Sequence, residues 1–173
     1  GPGASNRLKA NRIYSNNGAG VALVSGSIHG LLVVRNLLYR NGGNGLTVAV
    51  GTTNYFLGND LYANAKGIVV GSGAGSSNLF YNNVVLSNVG AGISNAASGT
   101  TWRFNDVFGN SVNYAGTVAL AVSNNNSFGN PAFSNAAAGN FGLSASSVAI
   151  DAGTTNGLTR FDAVAVQSTA RDM

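Results

Sequence analysis

Two carboxylates in this chain are placed for chemistry. Asp60 and Asp106 each follow an asparagine, in Asn59-Asp60-Leu61-Tyr62 and Asn105-Asp106-Val107-Phe108. A pair of carboxyl groups set across one bond can cleave a glycoside, one as acid and the other as base or nucleophile. The plain alternative is two solvated aspartates. Arg12, Arg35 and Arg40 are the cations whose chemistry suits a carboxylate clamp for an anionic glycan, and Arg40 stands beside the two aspartates as a catalytic candidate; the alternative is a set of surface cations. Little else is available. The chain has no glutamate, five aspartates, one histidine (His29) and no cysteine. His29 stands without an acid near it in sequence, and there is no Gly-x-Ser-x-Gly elbow. No metal site is expected. A calcium ion would need six to eight oxygens, which no acidic cluster here supplies.

The segments that must position these residues form a repeat. The pattern Asn-x-apolar-aromatic-x-Asn begins at Asn11, Asn36, Asn59, Asn83, Asn105 and Asn125, at separations of 25, 23, 24, 22 and 20 residues. A period of this size marks a solenoid. Three residues before each first asparagine lies an apolar residue: Leu8, Val33, Phe56, Phe80, Trp102 and Val122. After the second asparagine, a glycine opens an apolar alternation, as in Gly45-Leu46-Thr47-Val48 and Gly67-Ile68-Val69-Val70. Each unit thus holds about three short strands with period two, bounded by Gly, Asn and Ser. Sustained helical periodicity is absent. The expected fold is all-β, a parallel β-helix of about six coils of 20–25 residues. Residues 4–130 form its coils.

Stacking gives the asparagines a purpose. Identical residues set one above another at about 4.8 Å can donate to one neighbour and accept from the other. Asn11, Asn36, Asn59, Asn83, Asn105 and Asn125 are therefore expected as a structural ladder. Asparagine also tolerates the left-handed conformation of a tight corner. Tyr14, Tyr39, Tyr62, Phe108 and Phe128, with Leu86 in the fourth place, should stack as a second column. Carbohydrate stacking is the functional alternative for that column. Alternation along the strand points Asp60 and Asp106 outward on one face, two coils and about 9.6 Å apart, with Val84 between them.

On these residues the chain resembles the right-handed parallel β-helix proteins of the pectin-lyase-like superfamily. Its tail, with Asn130-Pro131-Ala132-Phe133, Gly139-Asn140-Phe141-Gly142-Leu143 and Ser147-Val148-Ala149-Ile150-Asp151-Ala152-Gly153, is similar to the closing segment of secreted bacterial β-helix proteins. It differs from them in having Asn130 and Val148 where Asp and Pro are frequent. The resemblance implies a right-handed coil, a terminal coil, cap and tail over 131–173, and Asp151 as a structural residue of the cap. It also implies an extracellular or cell-surface location. Lyases of this fold pair acidic calcium ligands with an Arg or Lys base, and the acidic ligands are missing here.

Composition bounds the partners. Charged residues are 8% of the chain, against a usual share of about 25%, so the surface is neutral and polar. The charge is lopsided. Residues 1–59 carry Arg7, Lys9, Arg12, Arg35 and Arg40 and no acid, within a net charge of +4. A basic end can steer an anionic polysaccharide or meet a neighbouring coil or chain. The cations form no Lys/Arg-rich run, so nucleic acid is not expected. Apolar runs fall far short of a membrane span. Gly1-Pro2-Gly3 reads as the remnant of a cleaved tag. The expected function is a non-catalytic extracellular module, structural or adhesive, that binds glycans or associates end to end or edge to edge, and is a piece of a larger protein. The alternative is a polysaccharide lyase or glycoside hydrolase.

Overall fold

A computed structural model describes residues 6–116 and 129–154. Three-residue strands dominate, because each coil must turn three times within its two dozen residues. The first sheet stacks β1 (Arg7–Lys9), β4 (Leu32–Val34), β7 (Tyr55–Leu57), β10 (Leu79–Tyr81) and β13 (Thr101–Arg103). The second stacks β2 (Arg12–Tyr14), β5 (Leu37–Tyr39), β8 (Asp60–Tyr62), β11 (Val84–Leu86) and β14 (Asp106–Phe108). The third stacks β3 (Val21–Leu23), β6 (Leu46–Val48), β9 (Ile68–Val70), β12 (Ala91–Asn95) and β15 (Val112–Gly116). All pairings within these sheets are parallel. The expected solenoid is thus present, with five coils described. The sixth expected motif begins at Asn125, and residues 125–128 lie outside the described residues.

The interior is built in columns. In the first sheet the central residues Leu8, Val33, Phe56, Phe80 and Trp102 are in register. Phe56 stacks on Phe80 with ring centroids 4.6 Å apart, and Phe80 on Trp102 at 3.9 Å. Ile13, Leu38, Leu61, Val85 and Val107 fill the second wall, and Val21, Leu46, Ile68, Ile93 and Tyr114 the third. The glycine that opens the third sheet is needed for close approach. A Cβ on Gly67 would collide with Val85 Cγ1 and the carbonyl of Gly92 in the next coil.

The asparagine ladder is present, and among the described residues there are three. The first runs Asn11, Asn36, Asn59, Asn83, Asn105 at the corner between the first two sheets. In it Asn36 gives both its main-chain N–H and its side-chain amide to Asn59 Oδ1, each at 3.0 Å. The same amide donates backward to Leu8 O at 2.9 Å. Asn59 and Asn83 repeat this arrangement, so each of these buried amides is saturated. The second ladder, Asn16, Asn41, Asn64, Asn88, Asn110, follows the second sheet in the same geometry. The third is short: Asn54 N donates to Asn78 Oδ1 at 3.0 Å, just ahead of the first sheet. Asn125 lies outside the described residues.

The corner conformation differs from the expectation. The left-handed residue is the one before each asparagine and not the ladder asparagine itself. Ala10, Ser15, Arg35, Arg40, Thr53, Ala63, Ser77, Asn82, Ser87 and Phe104 all have φ between 53° and 64° there, and Gly58 and Gly109 share the position. The turn at that residue swings the following amide inward to its ladder, and its side chain points out of the stack.

Residues 129–154 lie along the flank. β16 (Phe133–Asn135) and β17 (Asn140–Leu143) form an antiparallel hairpin closed by a 3₁₀ turn, Ala136–Ala138. Phe133, Leu143, Ala149 and Ala152 cluster with Val84, Leu86, Tyr62 and Phe108 on the outer face of the second sheet.

Candidate functional site

The expected site residues share that outer face. Arg12, Leu37, Asp60, Val84 and Asp106 form one column, and Tyr14, Tyr39, Tyr62, Leu86 and Phe108 the next. Asp60 and Asp106 therefore do face the same way, two strand spacings apart. Asp106 is 0% exposed and Asp60 half-buried. Burial, and secondarily the charge of Asp106, push the Tyr114 phenol well above its ordinary range.

Among the described residues the aromatic column stacks at its first step, where Tyr14 lies on Tyr39 with centroids 4.8 Å apart and planes 11° apart. Beyond that, Phe141 of the hairpin intervenes, tilted against Tyr39 at 5.0 Å and edge-on to Tyr62 at 5.8 Å. The hairpin thus occupies the surface that a sugar ring would need. Tyr14 remains 52% exposed at the first coil.

Two of the three proposed glycan cations are engaged by the same hairpin. Arg12 donates to Gly139 O, and Arg40 donates to Ala137 O. Both carbonyls sit at the hairpin tip. Arg35 is half-buried at a left-handed corner. Residues 129–154 form a strap over this face, and Thr154 and Asn82 close it at its far end through two hydrogen bonds, 2.8 and 3.1 Å. Asp151 is exposed and left-handed. His29 is exposed, and its Nδ1 lies 3.2 Å from Ser27 O.

Among the described residues, no three His, Asp or Glu side chains come together to hold a metal, and no helix is long and apolar enough to cross a membrane. A cavity of about 330 Å³ opens beside Trp102, walled by Ser72, Asn95, Ala97 and Thr100 among others, and carries no titratable group. Sequence reasoning found the aspartate and tyrosine columns from their spacing. It did not find the strap, because an apolar tail reads alike whether it closes an end or covers a side.

No curated protein and no solved structure matches the chain. Residues 2–108, more than half of the sequence, match the family described as the right handed beta helix region, and the chain belongs to that family.

Proposed function

We propose that the chain is a non-catalytic β-helix module of an extracellular or cell-surface protein, structural or adhesive in role, and part of a larger polypeptide. The observation that carries this reading is the burial of Asp106. A carboxylate that water does not reach cannot exchange protons with a polysaccharide in a groove. The strap adds support, since it uses Arg12 and Arg40 for main-chain carbonyls and covers Tyr39. Glycan contact then falls on the exposed cations of the first coil, Arg7 and Lys9, beside Tyr14. Such contact is electrostatic and weakens with salt.

The enzyme reading, a polysaccharide lyase or glycoside hydrolase, draws on the shared column of Asp60 and Asp106. A turnover screen on uronate and neutral polysaccharides separates the two. The module reading expects no turnover, and saturable binding to an anionic polysaccharide that fades as salt rises. Turnover that disappears in Asp106→Asn would overturn it.

A further inference from the structure

The strap is attached unevenly along its length. At its base, Ala149 is 0% exposed and packs with Val84 and Leu86, and Thr154 exchanges two hydrogen bonds with Asn82. Towards the tip the burial fades, and residues 132–146 are all partly or fully exposed. The hairpin also satisfies its own main chain. Its strands pair at Phe133–Leu143 and Asn135–Asn140. Ala138 N–H donates to Asn135 Oδ1, Gly139 N–H to Ala136 O, and Gly142 N–H to Asn140 Oδ1. Ser144 N–H turns back to Ala132 O. The hairpin can therefore swing about its base as one body and keep these bonds.

What holds the tip to the stack is Arg12 on Gly139 O, Arg40 on Ala137 O, and the Phe141 ring against Tyr39 and Tyr62. The two cations are matched to neutral acceptors. Both are exposed, and residues 129–150 contain no acid. A carboxylate is the stronger acceptor for a guanidinium, and it can accept in bidentate fashion. Beneath the tip Tyr39 is buried and Tyr62 half-buried. Tyr14, stacked on Tyr39 and 52% exposed, extends the same ring surface beyond the tip. Rings of this kind offer an apolar face with a polar edge.

We propose that the hairpin 133–143 is a gate over a site for an acidic polysaccharide, formed by Arg12, Arg40, Tyr39 and Tyr62. A uronate carboxylate takes the guanidiniums from the carbonyls of Ala137 and Gly139, and a sugar ring takes the place of Phe141 on the tyrosines. The tip swings out while the base keeps its place over Val84 and Leu86. The closed gate lowers the apparent affinity by the fraction of chains that are open. This inference rests on the glycan-binding part of the module reading, and adds a gated contact to the one at Arg7 and Lys9.

The chain has no cysteine, so Ala138→Cys takes a single bimane label in the exposed turn. Tyrosine rings quench bimane on contact, and the neighbouring Gly139 lies against Tyr39, so opening appears as a rise in fluorescence. The probe is polygalacturonate at low salt, with dextran as the neutral control. A saturable rise is expected with polygalacturonate and none with dextran. Phe141→Ala removes the ring that holds the gate. It should brighten the label without ligand and tighten polygalacturonate binding roughly ten-fold, with the unfolding midpoint as the folding control. Arg12→Ala with Arg40→Ala should also brighten the label, and should abolish the gain from Phe141→Ala. Arg7→Ala with Lys9→Ala should weaken binding and leave the rise at saturation intact. Binding that leaves the label quenched, or a Phe141→Ala affinity no tighter than the parent's, overturns the gate and leaves the module reading standing. Absence of binding in both the parent and Phe141→Ala overturns the gate together with the glycan-binding part of that reading.

Discussion

Asn113 Oδ1 accepts two hydrogen bonds from Asn110, three residues earlier, with the geometry that elsewhere joins asparagines of successive coils. The second ladder therefore ends by borrowing an acceptor from its own strand β15. Asn113→Ala should leave both Asn110 donors without that acceptor and loosen the fifth coil, at a cost of about 1–2 kcal/mol because the site is only partly buried. Urea unfolding, with exchange at Asn110 as the local probe, checks this.

Mid-ladder positions should matter more. Asn59 accepts from two donors of Asn36 and gives its amide to Val33 O and Asn83 Oδ1, all within a fully buried corner. Asn59→Ala orphans several groups at once, at about 1–3 kcal/mol each, so a total loss of roughly 3–5 kcal/mol is expected in chemical denaturation. Asn11→Ala, at the half-exposed end, should cost less than half as much.

Left-handed corners give a prediction of opposite sign. Ala63 has φ of 54° at a position where Gly58 and Gly109 occur in other coils. Ala63→Gly relieves a strain of about 1–2 kcal/mol against a chain-entropy cost of about 0.5–1 kcal/mol. A net gain of roughly 0.5–1 kcal/mol should appear as a higher unfolding midpoint. Gly58→Ala should lose a comparable amount, since its added Cβ would make only ordinary contacts.

The strap should lift at its tip without unfolding the stack. Arg12→Ala with Arg40→Ala removes both donors to the 137 and 139 carbonyls. Limited proteolysis should then cut within 136–140 several-fold faster, while the solenoid core keeps its midpoint within about 1 kcal/mol, as for exposed charged hydrogen bonds.

Alkaline pH should act through Tyr114. Its phenol is raised above an ordinary value of 10.0 by burial first and Asp106 second. Below pH 10 the group is protonated in both folded and unfolded chains, and its contribution is complete. Above that, the unfolded chain loses the proton first, so stability falls as pH rises. Tyr114→Phe should flatten the fall in an unfolding series between pH 9 and about 11.5.

The columns were legible because stacking demands the same residue type at the same offset. Asn36 over Asn59 and Phe56 over Phe80 are each visible as a spacing before any coordinate is known. The left-handed corner was not legible. Ala10, Arg40, Ala63 and Phe104 share a backbone conformation and no chemistry, so no residue type announces it. The third ladder has two members, Asn54 and Asn78, too few to register as a repeat. Asp106 shows the limit for the site. Alternation predicted its outward direction correctly, yet an outward side chain is accessible only if nothing lies over the face, and local pattern carries no information on that.

Accessibility of Asp106 is accordingly the point on which the functional reading turns. Carbodiimide coupling of the folded chain to glycine ethyl ester, followed residue by residue in the mass spectrometer, measures it directly. Asp151 is exposed and serves as the internal reference. The predicted result is rapid modification of Asp151, with Asp106 unmodified until the chain is unfolded. Modification of Asp106 at the rate of Asp151 would contradict the account and return the carboxylate pair to candidacy as a catalytic site.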